Sequence, residues 1–368
     1  MSEAPPAAAA DRPAAAIRSG ASRAAAVGSL GLFGTVMMCL NGRWDEVAAI
    51  TIIPLWVWSF FGLAAAGAGL LACRTRSAAL AALLWGGTLL AGPDEWRGLW
   101  RSWFSNPPPL LPQRPAAHRA QTLRVITLNC RRSNIASARE AAAWNPDVIL
   151  LQEMRGYATR DVNALARELW GPESSTVASF DTTILAHGHL RPHPSNRANR
   201  RLQEFVQATL TRPDGSQIEI ASVHLQGHVT SLKLWDPETW RAHARKQRRH
   251  RLYMEEIIVP SLQSGQPRPR LIGGDFNSPA GNRTFAALQP SFVDAFATAG
   301  TGWGNTFRND WPLLRIDQIW ATHDLQPTAA RTIKTDYSDH RMVVVDYTLP
   351  ATPLTQDPST RAPTGESS

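Results

Sequence analysis

Lysine is almost missing from this 368-residue chain: Lys233, Lys246 and Lys334 are the only three among 38 basic residues. With alanine so abundant, that ratio reports a biased genome more than a nucleic-acid partner, even at a formal charge of +8. Cysteine is equally sparse. Cys39, Cys73 and Cys130 imply no disulfide framework and are compatible with either side of a bacterial membrane. There is no Cys-x-x-Cys pair, no His-Glu-x-x-His and no glycine-rich phosphate loop, so zinc and nucleotide-cofactor chemistry have no support.

Polar residues do recur wherever an apolar run ends. Leu271-Ile272-Gly273-Gly274-Asp275-Phe276-Asn277 is one case, and Arg315-Ile316-Asp317 and Ser338-Asp339-His340 are others. Upstream, Arg124 to Asn129, Asp147 to Glu153 and Glu219 to His224 repeat the pattern. Short apolar runs bounded by glycine or turn residues read as buried strands. Their ends therefore deliver Asn129, Glu153, His224, Asp275 with Asn277, Asp317, and Asp339 with His340 to one rim of a sheet. Each polar group buried without a partner costs roughly 1–3 kcal/mol, so an ordinary core would not collect them. Any one of them alone reads as a cap or a hydrogen-bonding group at a strand end. The ordered set reads as an active site, while periodicity by itself predicts only an α/β or α+β domain.

The order Thr127-Leu128-Asn129, Leu151-Gln152-Glu153, Gly274-Asp275-Phe276-Asn277, Arg315-Ile316-Asp317, Ser338-Asp339-His340 resembles the endonuclease/exonuclease/phosphatase superfamily. Deoxyribonucleases, abasic-site endonucleases, neutral sphingomyelinases and inositol-polyphosphate 5-phosphatases belong to it. The resemblance covers residues 121–349. It implies an α/β fold, with two mixed β-sheets packed as a sandwich between flanking helices in four α/β/β/α layers and the site at one end. It also implies a metal-dependent hydrolase acting on phosphoester bonds. Mg²⁺ is the expected cofactor, with Mn²⁺ as a substitute, because a hard cation takes one or two carboxylates while keeping several waters. Glu153 is the first expected ligand, with Asn129 beside it and Asp339 near the same ion or a second one.

By the same resemblance Asp275 activates or orients the attacking water, and Asn277 holds water or phosphate. His340 is expected to stabilise the developing phosphorane charge, with Asp317 holding its imidazole. Val223-His224-Leu225 resembles the deoxyribonuclease, sphingomyelinase and phosphatase branches, where this histidine contacts the phosphate or protonates the leaving oxygen. The acid that orients His224 stays open; Asp181, ahead of Thr182-Thr183-Ile184-Leu185-Ala186, is a candidate. His187, His189 and His193 read as a solvated polar loop rather than a metal site.

Before residue 121 the composition changes. Runs 24–40, 47–73 and 77–92 are apolar, and a spanning helix needs about 20 such residues. After a disordered segment 1–23, residues 24–92 are expected to form a membrane anchor of two to three transmembrane helices. Arg12, Arg18, Arg23, Arg74 and Arg76 flank the spans so as to predict an N-terminus inside. With three spans the catalytic domain is then extracytoplasmic, on a multi-pass protein of the bacterial inner (cytoplasmic) membrane. Trp96, Trp100, Trp103 and Phe104 fall at helical spacing, as an interfacial helix or as a continuation of the third span. Pro107 to Pro115 predict a semi-rigid spacer lifting the catalytic domain off the bilayer, and residues 350–368 a disordered tail.

Such an architecture is similar to that of membrane-anchored teicoplanin-resistance proteins. That similarity implies a phosphodiester or pyrophosphate in a lipid-linked envelope molecule as substrate, the membrane as partner, and no obligate protein partner. Leu232, Leu234, Trp235 and Trp240 form either an apolar lip for such a substrate or a self-packed loop. A second reading is a membrane-tethered nuclease, with Arg241, Arg245, Lys246, Arg248, Arg249 and Arg251 tracking a nucleic-acid backbone. An inactive membrane receptor for phosphorylated ligands is the third.

Overall fold

The structure is a computed structural model and describes residues 11–73, 75–105, 110, 112–114, 122–194, 196, 204–227, 231–264 and 268–349. The expected tail and most of the expected proline spacer lie outside these residues. Helix α1 spans Asp11–Gly42, so it starts inside the segment expected to be disordered; its many alanines are the best helix formers available. A short α2 (Ala48–Thr51) follows, then α3 (Leu55–Cys73) and α4 (Arg76–Ala91).

Helices α1, α3 and α4 pack through small residues, with Ala26, Ala66, Ala78 and Ala81 fully buried. Gly62 is obligatory there, because a Cβ would lie 2.0 Å from the Trp85 indole. The Trp85 N–H donates to the Ser29 hydroxyl at 3.2 Å, and that hydroxyl donates to the Gly62 carbonyl at 2.9 Å. Close backbones bridged by hydrogen bonds are the packing mode of helices in apolar surroundings. The outward side chains Phe60, Phe61, Leu71 and Leu83 are exposed. Among the described residues only Gly20–Gly42 is by itself long and apolar enough to cross a membrane. Asp45–Thr51 and Leu55–Leu71 qualify together but bend by 67°, and Arg76–Ala91 is short. The expected set of two to three spans thus corresponds to one such helix, or two if the bent pair is a single span.

Pro93 ends the run of α4 and opens α5 (Asp94–Phe104), which is a separate helix rather than a continued span. It is docked on the catalytic domain, where the Arg101 guanidinium donates to the carbonyls of Phe296, Ala297 and Gly300. The N-terminal helices and that domain are in direct contact. Arg251 pairs with Asp45 at 2.9 Å, Arg315 pairs with Asp94, and Trp56 meets Trp303 edge-on at 5.7 Å.

The catalytic domain holds two six-stranded sheets. Sheet one contains β1 (Thr122–Asn129), β2 (Val148–Gln152), β3 (Ser174–Ala178), β4 (Thr182–His187), β11 (Gln326–Ile333) and β12 (Met342–Thr348) in the order β11-β12-β1-β2-β4-β3. Sheet two contains β5 (His189–Pro192), β6 (Phe205–Thr211), β7 (Gln217–His224), β8 (Arg270–Asp275), β9 (Phe292–Asp294) and β10 (Asp317–Thr322) in the order β5-β6-β7-β8-β10-β9. Each sheet is mixed: β1–β2 and β7–β8 are parallel, the other pairs antiparallel. His189 therefore sits on a strand, not in a polar loop, and His187 pairs with Glu173 at 2.9 Å while stacking on Trp170.

Alternation along each strand sorts the core into layers. Val125, Val148, Ile220 and Leu271 point between the sheets. Ile126, Ile149 and Val344 point outward under α6 (Ile135–Ala142) and α7 (Thr159–Trp170). Ala221, Ile272 and Trp320 lie under α8 (Pro237–Tyr253), which runs through a π-helical turn at Met254–Ile258 into α9 (Val259–Gln263). A last short helix, α10 (Ala295–Ala299), carries the carbonyls that Arg101 caps. The expected α/β/β/α sandwich is the observed one.

Helix α8 is pinned from within by His250. Its Nε2 is 3.0 Å from the Gln226 carbonyl and its Nδ1 is 2.9 Å from the Ser278 hydroxyl. Burial first, then the cations Lys246 and Arg249, push its pKa down to about 3. The unfolded chain takes up this proton near pH 6.5 and the folded one does not. Stability from the neutral ring is therefore complete above about pH 6.5 and is lost as pH falls toward 3. Thermal midpoints from pH 7 to 4 should fall more steeply for the native chain than for His250→Gln; parallel curves would refute the assignment.

Candidate active site

The carboxyl ends of both parallel pairs meet at one rim. Asn129 ends β1, Glu153 follows β2, His224 ends β7 and Asp275 ends β8. Antiparallel neighbours bring the remainder: Asp317 opens β10 directly opposite Asp275, Asp181 precedes β4, and His340 precedes β12. Toward this rim the inter-sheet core turns polar. Thr127 donates to Gln152 at 3.2 Å, and Gln152 donates to Ser222 at 3.2 Å.

Beyond the strands the backbone takes left-handed turns at Arg131, Arg132, Ser133, Glu153 and Asn277. Such turns cost of order 1–3 kcal/mol each for residues with a side chain, and they cluster at functional sites. Here they aim main-chain N–H groups at the site: Arg132 N donates to Glu153 at 2.8 Å and Asn277 N donates to Asp275 at 2.9 Å. Gly274, at φ 148°, lets β8 lie against β7, since a Cβ there would be 1.9 Å from the Val223 carbonyl oxygen.

Asp275 is the hub. Its Oδ2 accepts from the Asn129 amide at 3.1 Å and lies 3.9 Å from Nε2 of both His224 and His340. Each imidazole has its own carboxylate behind it. Asp317 holds Nδ1 of His340 at 2.8 Å, and Asp181 holds Nδ1 of His224 at 2.9 Å. Burial opposes charge on both rings, but carboxylates outweigh it. Asp181, Asp275 and Glu153 raise the His224 pKa to about 9. Asp317, Asp275 and Asp339 raise that of His340 to about 10. Both rings are thus imidazolium at neutral pH.

Atoms of Asp275, Asp317 and His340 lie within 4.8 Å of one another. Within this trio Asp317 engages Nδ1 of His340 while Asp275 stays 3.9 Å from its Nε2, so an oxygen-preferring cation is better served by the Glu153 side of the cleft. Glu153 and Asp339 line one cleft of about 650 Å³ together with His224, His340, Asn277 and Arg249. Asn129 currently presents its NH₂ to Glu153 at 3.3 Å and to Asp275, its amide oxygen accepting from Arg131 N. As a ligand the amide would have to turn. Asp339 stands 4.0 Å from Arg131.

All eight residues singled out in the sequence reach this rim. Asn277 does so by donating to the Leu225 carbonyl at 2.8 Å, which leaves its amide oxygen for the cleft. Sequence patterns gave no hint of Thr306, whose hydroxyl accepts the Asp317 N–H at 3.2 Å, or of Phe307, whose ring lies 4.9 Å from His340. Both sit in an irregular segment with no periodicity to read. Glu204, paired with Arg249 in the cleft wall, carries no motif either.

A four-layer sandwich with a carboxylate and imidazolium rim defines the class of phosphoester hydrolases. The endonuclease/exonuclease/phosphatase family pattern matches residues 126–340, so the chain belongs to that family, whose members are hydrolases acting on phosphoester bonds. Among solved structures the chain is similar to an endonuclease/exonuclease/phosphatase from Beutenbergia cavernae DSM 12333, at 16% identity over 64% of this chain and 73% of that one, TM-score 0.47. It is similar to humanized D. rerio TDP2 at 14% identity, over 61% and 98%, TM-score 0.45. The catalytic domain of human Nocturnin with bound sulfate matches at 16% identity, over 62% and 94%, TM-score 0.45. No curated protein matches the chain.

Residues that act as a unit lose activity non-additively. Asp317→Asn combined with His340→Ala should therefore cost little more in kcat/KM than His340→Ala alone. A double variant that loses the product of the two separate losses would break the pairing.

Proposed function

We propose that this chain is a membrane-anchored, Mg²⁺-dependent phosphoesterase that hydrolyses a phosphodiester or pyrophosphate in a lipid-linked envelope molecule. The observation that carries the reading is the Arg251–Asp45 ion pair, which fixes α8, a wall of the cleft, to the base of helices whose outward faces are apolar. Charge on an anionic phosphoester would be neutralised by Mg²⁺ held by Glu153, Asn129 and Asp339. Asp275 takes the proton of the attacking water as the new P–O bond forms. His340 stabilises the phosphorane charge, and His224 gives its proton to the leaving oxygen as the old P–O bond breaks.

Helices α1 and α4 end at the catalytic domain and α3 begins there, which supports an N-terminus on the opposite side of the bilayer and an extracytoplasmic domain. Arg97 and Arg101 would be on the wrong side for the positive-inside bias, but they are occupied: Arg97 donates to the Ala91 carbonyl and Arg101 caps α10. The nuclease reading draws less support. Arg241 and Arg245 pair with Glu238, Arg249 with Glu204, and Arg251 with Asp45 and Glu255, so most of the basic helix is already neutralised. A complete set of site residues weighs against an inactive receptor.

The 231–236 loop and the first turn of α8 divide. Trp240 packs inward, donating to the Leu234 carbonyl at 2.8 Å, whereas Leu232 and Trp235 project, Trp235 being 82% exposed. Leu232→Ser with Trp235→Ser should slow hydrolysis of a lipid-linked phosphate in vesicles by about tenfold, near 1.4 kcal/mol, with less effect on a small soluble phosphodiester. Equal losses would make the loop structural. Glu153→Gln should raise the Mg²⁺ concentration needed for half-maximal rate and cut kcat by roughly a hundredfold or more; unchanged turnover and metal response would remove Glu153 from the site.

A further inference from the structure

Lys246 stands apart from the other cations of α8. It is half-buried and makes no ion pair or hydrogen bond among the described residues, while four of its arginine neighbours are paired with carboxylates. It lines a narrow gap between α8, Ala48 and Ile52 beside α1, and the Asn277-Ser278-Pro279 segment. Asn277 is common to that gap and to the catalytic cleft. On its other side the gap shares Pro279 with a cavity of about 480 Å³ at the base of the helices, where Leu40, Ile53, Leu55 and Leu314 contribute apolar walls.

The gap that Lys246 lines thus shares a wall with each of two spaces: through Asn277 with the cleft that holds Glu153, Asp275, His224 and His340, and through Pro279 with the cavity at the base of the helices, whose leucine and isoleucine walls alternate with Asp94, Glu95, Arg97 and Arg315. The cleft already supplies positive charge for a scissile phosphate. An ammonium beyond Asn277 has no role there, and keeping it half-buried without a counter-charge is unfavourable. Burial accordingly pulls its pKa down, and the Asp275 carboxylate only partly offsets this. A second anionic group next to the scissile one, on the side facing the helices, would supply the missing partner.

We propose that Lys246 binds the inner phosphate of a lipid-linked diphosphate, with the terminal phosphate in the catalytic cleft and the lipid chain leading toward the base of the helices. This rests on the phosphoesterase reading above and narrows it. Water adds to the terminal phosphorus and passes its proton to Asp275. The bond from that phosphorus to the bridging oxygen breaks, and the bridging oxygen leaves with the inner phosphate, taking a proton from His224. The products are orthophosphate and a lipid monophosphate.

The test uses the full chain in detergent micelles with Mg²⁺, farnesyl diphosphate, bis(4-nitrophenyl) phosphate and a thymidine dinucleotide. Lys246→Met should raise KM for farnesyl diphosphate at least tenfold and more than it raises KM for the diester, and Lys246→Arg should recover most of that loss. Independently of any variant, methylenediphosphonate should inhibit the wild-type diesterase at least tenfold better than orthophosphate. Equal losses on both substrates, or no diphosphonate preference, would overturn the assignment of Lys246. A wild-type enzyme that cleaves the dinucleotide and the diester but not the diphosphate would overturn this inference and leave phosphoesterase activity standing. One that cleaves none of them would overturn the function itself.

Discussion

Everything at the rim depends on the contacts that surround the almost wholly buried carboxylate of Asp275. A polar group buried there without partners would be costly. Nε2 of His224 and of His340 at 3.9 Å, the Asn129 amide at 3.1 Å and the Asn277 N–H at 2.9 Å surround it. Those imidazoliums in turn need Asp181 and Asp317 behind them. The arrangement is reciprocal: remove one carboxylate and the ring in front of it loses both its proton and its orientation.

The sandwich is shaped to allow this. Its centre is aliphatic, and polarity rises only where Thr127, Gln152 and Ser222 bridge the sheets beneath the rim. That bridge satisfies polar groups that would otherwise be orphaned, and it separates the hydrophobic core from the charged layer. Because both parallel pairs end on the same side, the left-handed residues that follow them point their N–H groups into one cleft rather than several.

Helix α8 links this chemistry to the helices below. One face sets His250 against Ser278 and Gln226, holding the segment that follows Asn277. Gln247 and Arg251 on the adjoining stripe grip Asp45. The cleft and the apolar helices are therefore parts of one packed unit, and a substrate straddling water and lipid would meet both.

Much of this was legible in the linear chain. Alternating and continuous apolar runs identified β1, β2, β7 and β8, and the polar residues at their ends marked the rim, whereas Asp317 and His340 were read at run ends but stand at the start of β10 and just before β12, because strand periodicity is a local property and chain direction within a sheet is not. Pairings across long separations were not fixed by strand patterns: Asp317 behind His340 came only with the family resemblance, and Asp181 was no more than a candidate for His224. Asp181 and His224 are 43 residues apart at the ends of strands in different sheets, and only the packing of β4 against β7 brings them together. The number of spans was not legible for a related reason. Hydropathy counts apolar residues but not the 67° break before Leu55, nor the acids and carbonyls of the catalytic domain that hold α5 in place. Lys246 shows the division most clearly. Its sequence position in a basic run made it one cation among six, and only tertiary packing, which pairs four of its arginine neighbours, leaves Arg248 exposed and half-buries Lys246 without a partner among the described residues, sets it apart.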